Sequence, residues 1–311
     1  MSRALPQTEP ASDLPPRVTI YEVGPRDGFQ NIGPFIPTET KIAMIRGLAA
    51  AGVRRMEITS FVSPRAIPQL ADAAEVLANV LAQGAVLPQV LVPNARYGHK
   101  AIEAGARFLS YVISVSESHS RSNVRVGPNE ALADYARLVA EAPAGIRMRL
   151  NLATAFHCPF EGMTPATAVL DLLGRALEVR PDAEVCLCDT TGRGTPDQVA
   201  ALFDSVMTAF PEVSTWAMHA HDTYGHGWMN VRAAYERGVR IFDSAIGGLG
   251  GCPYAPGATG NVATEAVAGF LHRLPGQAPP VIVVDDIADA VADEFVPVAI
   301  GMDDVSHLQY T

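Results

Sequence analysis

The sequence predicts an α/β fold, a (β/α)8 TIM barrel with a short C-terminal extension. Three observations predict it. Eight short apolar, β-branched runs recur along the chain, with alanine- and leucine-rich stretches of helical periodicity between them; strand–helix alternation implies a parallel sheet. Polar residues gather at the ends of the runs, and in a closed barrel all such ends meet at one face. At 311 residues the chain has the length of an α/β barrel, and 48% hydrophobic content supplies a large core. No G-x-G-x-x-G follows the first run, so an open dinucleotide-binding sheet has little support.

The runs come in order. "RVTIYEV" (Arg17–Val23) is the first, "VRRMEIT" (Val53–Thr59) the second, "VLPQVLV" (Val86–Val92) the third and "RFLSYVISV" (Arg107–Val115) the fourth. "IRMRLNLA" (Ile146–Ala153), "AEVCLCD" (Ala183–Asp189), "STWAMHA" (Ser214–Ala220) and "VRIFDSAI" (Val239–Ile246) complete eight. "TETKIAMIRGLAAAG" and "TPDQVAALFDSVMTAF" read as helices. Thr38 or Thr195 suits an N-cap, and Gly52 and Gly105 fall where helices should end. Residues 1–16 read as a disordered N-terminal tail without the apolar core of a signal peptide, residues 17–274 as the catalytic barrel, and residues 275–311 as an extension packing on it.

Composition narrows the partners. A net charge of −10 argues against nucleic acid, and no run reaches transmembrane length, so neither nucleic acid nor membrane is expected. The four cysteines, Cys158, Cys186, Cys188 and Cys252, do not form a disulfide framework in a chain this long. Cys186 and Cys188 are same-face neighbours on a strand and read as reduced, buried thiols. A cytoplasmic setting follows.

The strand ends carry the candidate chemistry. Arg26 and Asp27 follow the first run, Glu57 ends the second, Asn94 follows the third, and Ser116, Glu117 and His119 follow the fourth. Asn151 lies on the fifth and Asp189 ends the sixth. His219 and His221 end the seventh, two apart and therefore on one strand face. They are either hydrogen-bonded histidines at the mouth or metal ligands, completed by oxygens of Asp27 and Asn261. Such a nitrogen–oxygen set suits Mg2+ or Mn2+, with Zn2+ or Co2+ as further fits. Arg26 is either a surface ion pair or a guanidinium that stabilises an oxyanion or enolate. Asp189, after an apolar strand, is a general acid/base candidate, with a structural hydrogen bond as the alternative. Glu57 leans to a supporting role. Cys252 sits in "GGLGGCPYAPGATG", where it is either an inert thiol or a mobile proton donor on a swinging loop. No Lys-Ser/Thr follows those glycines, which argues against a nucleotide P-loop.

"VGPRDGFQN" (Val23–Asn31), "EITSFVSP" (Glu57–Pro64), "CDTTGRGTP" (Cys188–Pro196), "HAHDTYG" and "GGCPYAPGATGNVATE" together resemble the 3-hydroxy-3-methylglutaryl-CoA lyase family, in order from about Arg17 to Leu274. The resemblance implies divalent-metal-dependent retro-Claisen cleavage of a 3-hydroxyacyl-CoA. Asp27, His219, His221 and Asn261 match the metal ligands. Arg26 matches the arginine that steadies enolate charge, Asp189 a catalytic carboxylate, Cys252 the loop thiol of proton transfer, and Glu57 an acidic residue supporting the site. Asp189 or His219 takes the hydroxyl proton. Gln30, Arg121, Asn123 and Arg125 are the substrate-binding candidates, the two arginines for CoA phosphates. Barrels of this type are often homodimers, and no segment here marks an interface.

The sequence also departs from the family pattern. Ile32–Gly33 stands where the family has an acidic–basic pair, Ala220 lies between the histidines, and His226 follows "HDTYG". "SESHSRSNVRVGP" replaces a lysine-containing segment and keeps Ser122–Asn123. The metal chemistry is left intact and the acyl group left open. Hydroxymethylglutaryl-CoA, giving acetoacetate and acetyl-CoA, is the first substrate. Citramalyl-CoA or an isoprenoid-derived homologue is the alternative, as is a condensing synthase of the isopropylmalate synthase type.

Overall fold

A computed structural model of the protein describes residues 18–251 and 260–272. In chain order the strands are β1 (Thr19–Glu22), β2 (Arg55–Ser60), β3 (Leu87–Val92), β4 (Phe108–Ser114), β5 (Arg147–Ala153), a two-stranded ribbon of β6 (His157–Cys158) and β7 (Gly162–Met163), then β8 (Glu184–Asp189), β9 (Trp216–Ala220) and β10 (Ile241–Ser244). All but the ribbon close into one parallel barrel in the order β1-β10-β9-β8-β5-β4-β3-β2. Each of the eight apolar runs holds one barrel strand, β2 running one residue past the end of its run. The helices are α1 (Thr38–Ala50), α2 (Ala73–Gln83), α3 (Ala95–Glu103), α4 (Glu117–Val124), α5 (Pro128–Glu141), α6 (Ala166–Val179), α7 (Pro196–Ala209), α8 (Gly227–Glu236) and α9 (Thr264–His272). No described helix is long and apolar enough to cross a membrane. The expected N-terminal tail, the C-terminal extension and Cys252 lie outside the described residues.

Strand alternation sorts the core into two parts. Outward residues such as Val185, Leu187, Met218 and Phe242 pack against the helices in the main apolar core. Inward residues fill the lumen. Tyr21, Val23, Cys186, Cys188, Ala217, Ile241 and Ala245 form one lumen cluster, and Leu91, Val112 and Ala153 a smaller one. Beneath them lies an ionic layer. Arg149, fully buried, donates to both oxygens of Asp243 at 2.6 and 2.7 Å and to Glu184 at 3.1 Å. Arg55 adds a second guanidinium to Glu184 at 2.9 Å. Buried charges persist only when paired and hydrogen-bonded, and here each one is.

Helix ends follow local chemistry. Thr195 caps α7, its hydroxyl accepting from the Gln198 N–H while the Gln198 side chain returns to the Thr195 N–H. Thr38 does not cap α1. It is already the first helical residue, and its hydroxyl donates to Asp72, which also pairs with Lys41. The segment after β4 is a helix, α4. It buries polar side chains, His119, Ser120 and Asn123, so no apolar stripe announces it.

Candidate active site

The C-terminal strand ends build the site. After β1, residues Gly24–Gly28 ("GPRDG") form a single π turn, closed by the N–H groups of Arg26, Asp27 and Gly28 on the Val23 carbonyl. The turn starts on a glycine because its N–H donates to Glu22 Oε1 at 2.7 Å, and a Cβ there would stand 2.6 Å from that oxygen. It carries Arg26 and Asp27 to the mouth. Arg26 donates through Nε to Glu57 and through Nη1 to Asp27, both at 2.5 Å. Tyr21 donates its hydroxyl to the other oxygen of Glu57 at 3.2 Å. Glu57 therefore holds the arginine from behind.

β9 supplies the imidazoles. His219 ends the strand on its lumen face, with His221 just beyond it, ring centroids 5.0 Å apart. Asp27, His219 and His221 offer ligand atoms that all lie within 4.8 Å of one another, each residue buried. Asn261 joins them by backbone pairing. It forms an antiparallel bridge with His221, and the Val262 N–H donates to the Ala220 carbonyl. Its amide nitrogen donates to Asp27 at 2.6 Å and to the Leu249 carbonyl at 3.0 Å. Gly250, at φ 121°, passes so close that a Cβ would lie 2.7 Å from that nitrogen.

Three buried atoms at this point have no hydrogen-bond partner: both ring nitrogens of His221, and Asn261 Oδ1. Unsatisfied buried polar atoms are rare and costly. These are two ligand types, imidazole nitrogen and amide oxygen, beside an ionised carboxylate. A divalent cation would satisfy them together, so the donor set fits a metal. The field agrees. Burial would raise Asp27, but the Arg26 guanidinium and then the two imidazoles hold its carboxyl down at about 2. Burial, the largest effect, lowers His219, but the hydrogen bond to Asp243 together with the charges of Cys188, Asp243 and Asp27 outweighs it and lifts the ring to about 9, so an ion binding there would displace a proton. Burial and the neighbouring His219 push His221 down to about 4.

Behind His219 stands Asp243, accepting at 3.2 Å from Nδ1. This bond leaves Nε2 as the ring's ligand atom, the usual carboxylate–histidine pairing at metal sites. Neither Asp243 nor its partner Arg149 stands out by motif. The readable signal was parity: a charge in place of an apolar residue at a lumen position of a strand.

A cavity opens beside the donor set. It is lined by Arg26, Asp27, Glu57, Asn151, Thr190, Cys188, His219 and Asp243, with Leu91, Val112 and Ala153 as an apolar wall. The structure thus gathers Arg26, Asp27, Glu57 and His219 on one cavity, with His221 and Asn261 completing the donor set. Asp189 is set apart. It shares the parity of Val185 and Leu187 and is absent from the cavity wall. Its Oδ2 accepts from the Gly194 N–H at 3.0 Å and from Asn230 at 3.4 Å, while Oδ1 has no partner. Burial raises this carboxyl to about 6. Gln30 is buried just past the π turn and Asn123 on α4. Arg121 is exposed and paired with Glu117 at 2.6 Å, and Arg125 is exposed at the end of α4.

The family model described as HMGL-like matches residues 17–293. A cytoplasmic 3-hydroxy-3-methylglutaryl-CoA lyase of Homo sapiens is 40% identical over 269 residues, covering 86% of this chain and 72% of the relative. The crystal structure of an HMG-CoA lyase from Brucella melitensis superposes with a TM-score of 0.81 at 40% identity, covering 88% of this chain and 96% of that one. An HMG-CoA lyase from Acinetobacter baumannii in complex with coenzyme A and 3-methylmalate is 36% identical, with a TM-score of 0.81 and 88% of each chain covered. Motifs, closed barrel and whole-length similarity agree: this chain belongs to the HMGL-like family and is a carbon–carbon lyase.

Proposed function

We propose that the protein is a cytoplasmic, divalent-metal-dependent lyase that cleaves 3-hydroxy-3-methylglutaryl-CoA to acetoacetate and acetyl-CoA. The observation that carries the metal part is the trio of orphaned buried atoms, His221 Nδ1 and Nε2 and Asn261 Oδ1, beside Asp27. The relatives' names support the substrate, and the A. baumannii complex with coenzyme A supports an acyl-CoA.

Asp27, His219, His221 and Asn261 would hold the ion, Mg2+ or Mn2+ by donor type. When bound it supplies Lewis acidity, lowering the pKa of the substrate's C3 hydroxyl and fixing its orientation. The residues do the rest. Loss of the hydroxyl proton breaks the C2–C3 bond and leaves negative charge on the thioester oxygen as an enolate. Arg26 presents a guanidinium on the cavity wall, held rigid by Glu57 and Asp27, where that charge develops. Of the two candidates for the hydroxyl proton, His219 faces the cavity, backed by Asp243, and with Nδ1 on that carboxylate it would take the proton on Nε2 only while that atom is off the ion. Asp189 instead organises the loop at Gly194 and the start of α8. Cys252, on its glycine-rich segment, returns a proton to the enolate carbon. Leu91, Val112 and Ala153 give the substrate's C3 methyl an apolar surface.

The test is product analysis by mass spectrometry. Protein stripped with a chelator and restored with Mg2+ or Mn2+ receives hydroxymethylglutaryl-CoA, or citramalyl-CoA in a parallel sample. Acetoacetate and acetyl-CoA from the first, only after metal is restored, is the expected result. Cleavage of citramalyl-CoA alone moves the substrate. Turnover unaffected by the chelator overturns the metal role.

A further inference from the structure

Two thiols in the lumen take no part in this chemistry. Cys186 and Cys188 both point into the barrel from β8, and their sulfurs lie 3.9 Å apart. Beyond each other, their hydrogen-bond contacts are the Leu187 and Cys186 carbonyls, also at 3.9 Å, a distance at which little hydrogen-bond energy remains; the charges that act on them are Arg149 and Asp243, with His219 acting on Cys188. Cys188 lines the cavity with Arg26, His219 and Asp243, and Cys186 is fully buried one lumen position below it. Strand register sets Cys188 beside His219 and Cys186 beside Ala217 and Asn151.

The separation decides what such a pair can do. A disulfide needs its sulfurs about 2.05 Å apart, with Cα atoms no further than about 6.8 Å. Residues two apart on a strand are about 6.6 Å apart, at the far end of that range, and β8 is paired on both sides, which resists the buckling needed to bring the sulfurs from 3.9 Å to bonding distance. A tetrahedral ion with metal–sulfur bonds of about 2.3 Å holds two sulfurs about 3.8 Å apart. The thiols stand at that span without movement.

We propose that Cys186 and Cys188 form a chelating dithiol for a thiophilic divalent cation of the Zn2+ or Cd2+ class, separate from the nitrogen–oxygen donor set of Asp27, His219, His221 and Asn261. Two S–H bonds are lost, two metal–sulfur bonds form and two protons leave; nothing is oxidised or reduced. The product is a neutral dithiolate complex, which suits the buried lumen better than a bare cation. The ion enters past Cys188 from the cavity, and its open coordination positions face the space assigned to the acyl group. An ion there would obstruct the acyl group and inhibit turnover; only that consequence rests on the lyase reading.

The experiment is a Cd2+ titration of the full-length protein kept in excess Mg2+, followed by sulfur-to-metal charge-transfer absorption. Calorimetry in two buffers counts the protons released. The expected result is one sulfur-bound Cd2+ per chain with release of about two protons per ion. Cys186→Ser and Cys188→Ser should each abolish the band at stoichiometric Cd2+, and Cys252→Ala should retain it. A band that survives Cys188→Ser, or disappears in Cys252→Ala, overturns the proposal. Proton release near zero in the wild-type protein overturns it without any variant. Neither readout depends on turnover, so failure of the lyase assay leaves this test intact.

Discussion

At the scale of single residues, the site is built from pairs in which one member carries the proposed chemistry and the other holds it in place. Arg26 has Glu57 behind it, and His219 has Asp243. Removing the charge of the second member should cost nearly as much as damaging the first. Asp243→Asn keeps the shape but weakens its hold on the His219 Nδ1 proton, and it leaves Arg149 with one charged partner fewer. Metal affinity should fall about 10–100-fold, read by metal titration, with kcat falling alongside. Unchanged affinity would mean that Asp243 serves only the ionic layer. Cys252→Ala should behave in the opposite way, with turnover cut strongly and metal content by elemental analysis unchanged. Equal turnover in that variant would remove the thiol from the mechanism. Asp243 was hard to read in the sequence because "VRIFDSAI" resembles any apolar strand; only its lumen parity marks it. The clustering of Asp27, His219 and His221 was readable because they lie in compact motifs, "GPRDG" and "HAH", at strand ends that a closed barrel brings to one face.

At the scale of elements, one carboxylate ties three site-bearing segments together. Glu22, fully buried at the end of β1, accepts from the Gly24 N–H of the π turn and the Ile246 N–H after β10. It also accepts from the Thr264 hydroxyl at the start of α9. Burial raises its pKa from 4.5 to about 7, although all three hydrogen bonds pull the other way. The sign follows from linkage. The folded protein binds this proton more tightly than the unfolded chain. The group's stabilisation is therefore complete below pH about 4.5 and is lost as pH rises through about 7. Glu22→Gln keeps an acceptor for the two N–H groups and a donor toward Thr264, whose hydroxyl also meets Ser244 at 2.8 Å. Urea unfolding at pH 5.5 and 8.5 should show the wild-type protein losing roughly 1–3 kcal/mol more than the variant across that interval. Equal losses in both proteins would show that Glu22 stays ionised throughout. The strands of this scaffold were legible because β-branched runs between turn signals leave little choice. α4 was not, because its buried face is polar, and the ribbon of β6 and β7 was not, because strands of two residues carry no period.

For the whole molecule, the weak point of the barrel is also where the site closes. β1 is short, and its pairing with β2 is limited to Tyr21↔Arg55 and Glu22↔Met56. Its other neighbour, β10, comes from the far end of the barrel in sequence. The Asn261–Asp27 hydrogen bond spans 234 residues, so closing this seam orders a very long loop. A cation held by Asp27 on one side and by His219, His221 and Asn261 on the other would stitch the seam shut. It would bind the folded chain and not the unfolded one. Mass action then requires the whole protein to melt later: at a free ion concentration 100 times Kd, the gain is about 2.7 kcal/mol. For a chain of this size that corresponds to a rise in Tm of several degrees. Mn2+ added to chelator-treated protein should produce this shift in a calorimetric scan. His221→Ala, which removes a ligand and leaves the β1–β10 pairing in place, should abolish it. A shift of equal size in that variant would place the ion elsewhere on the barrel and separate closure of the seam from the donor set at its mouth.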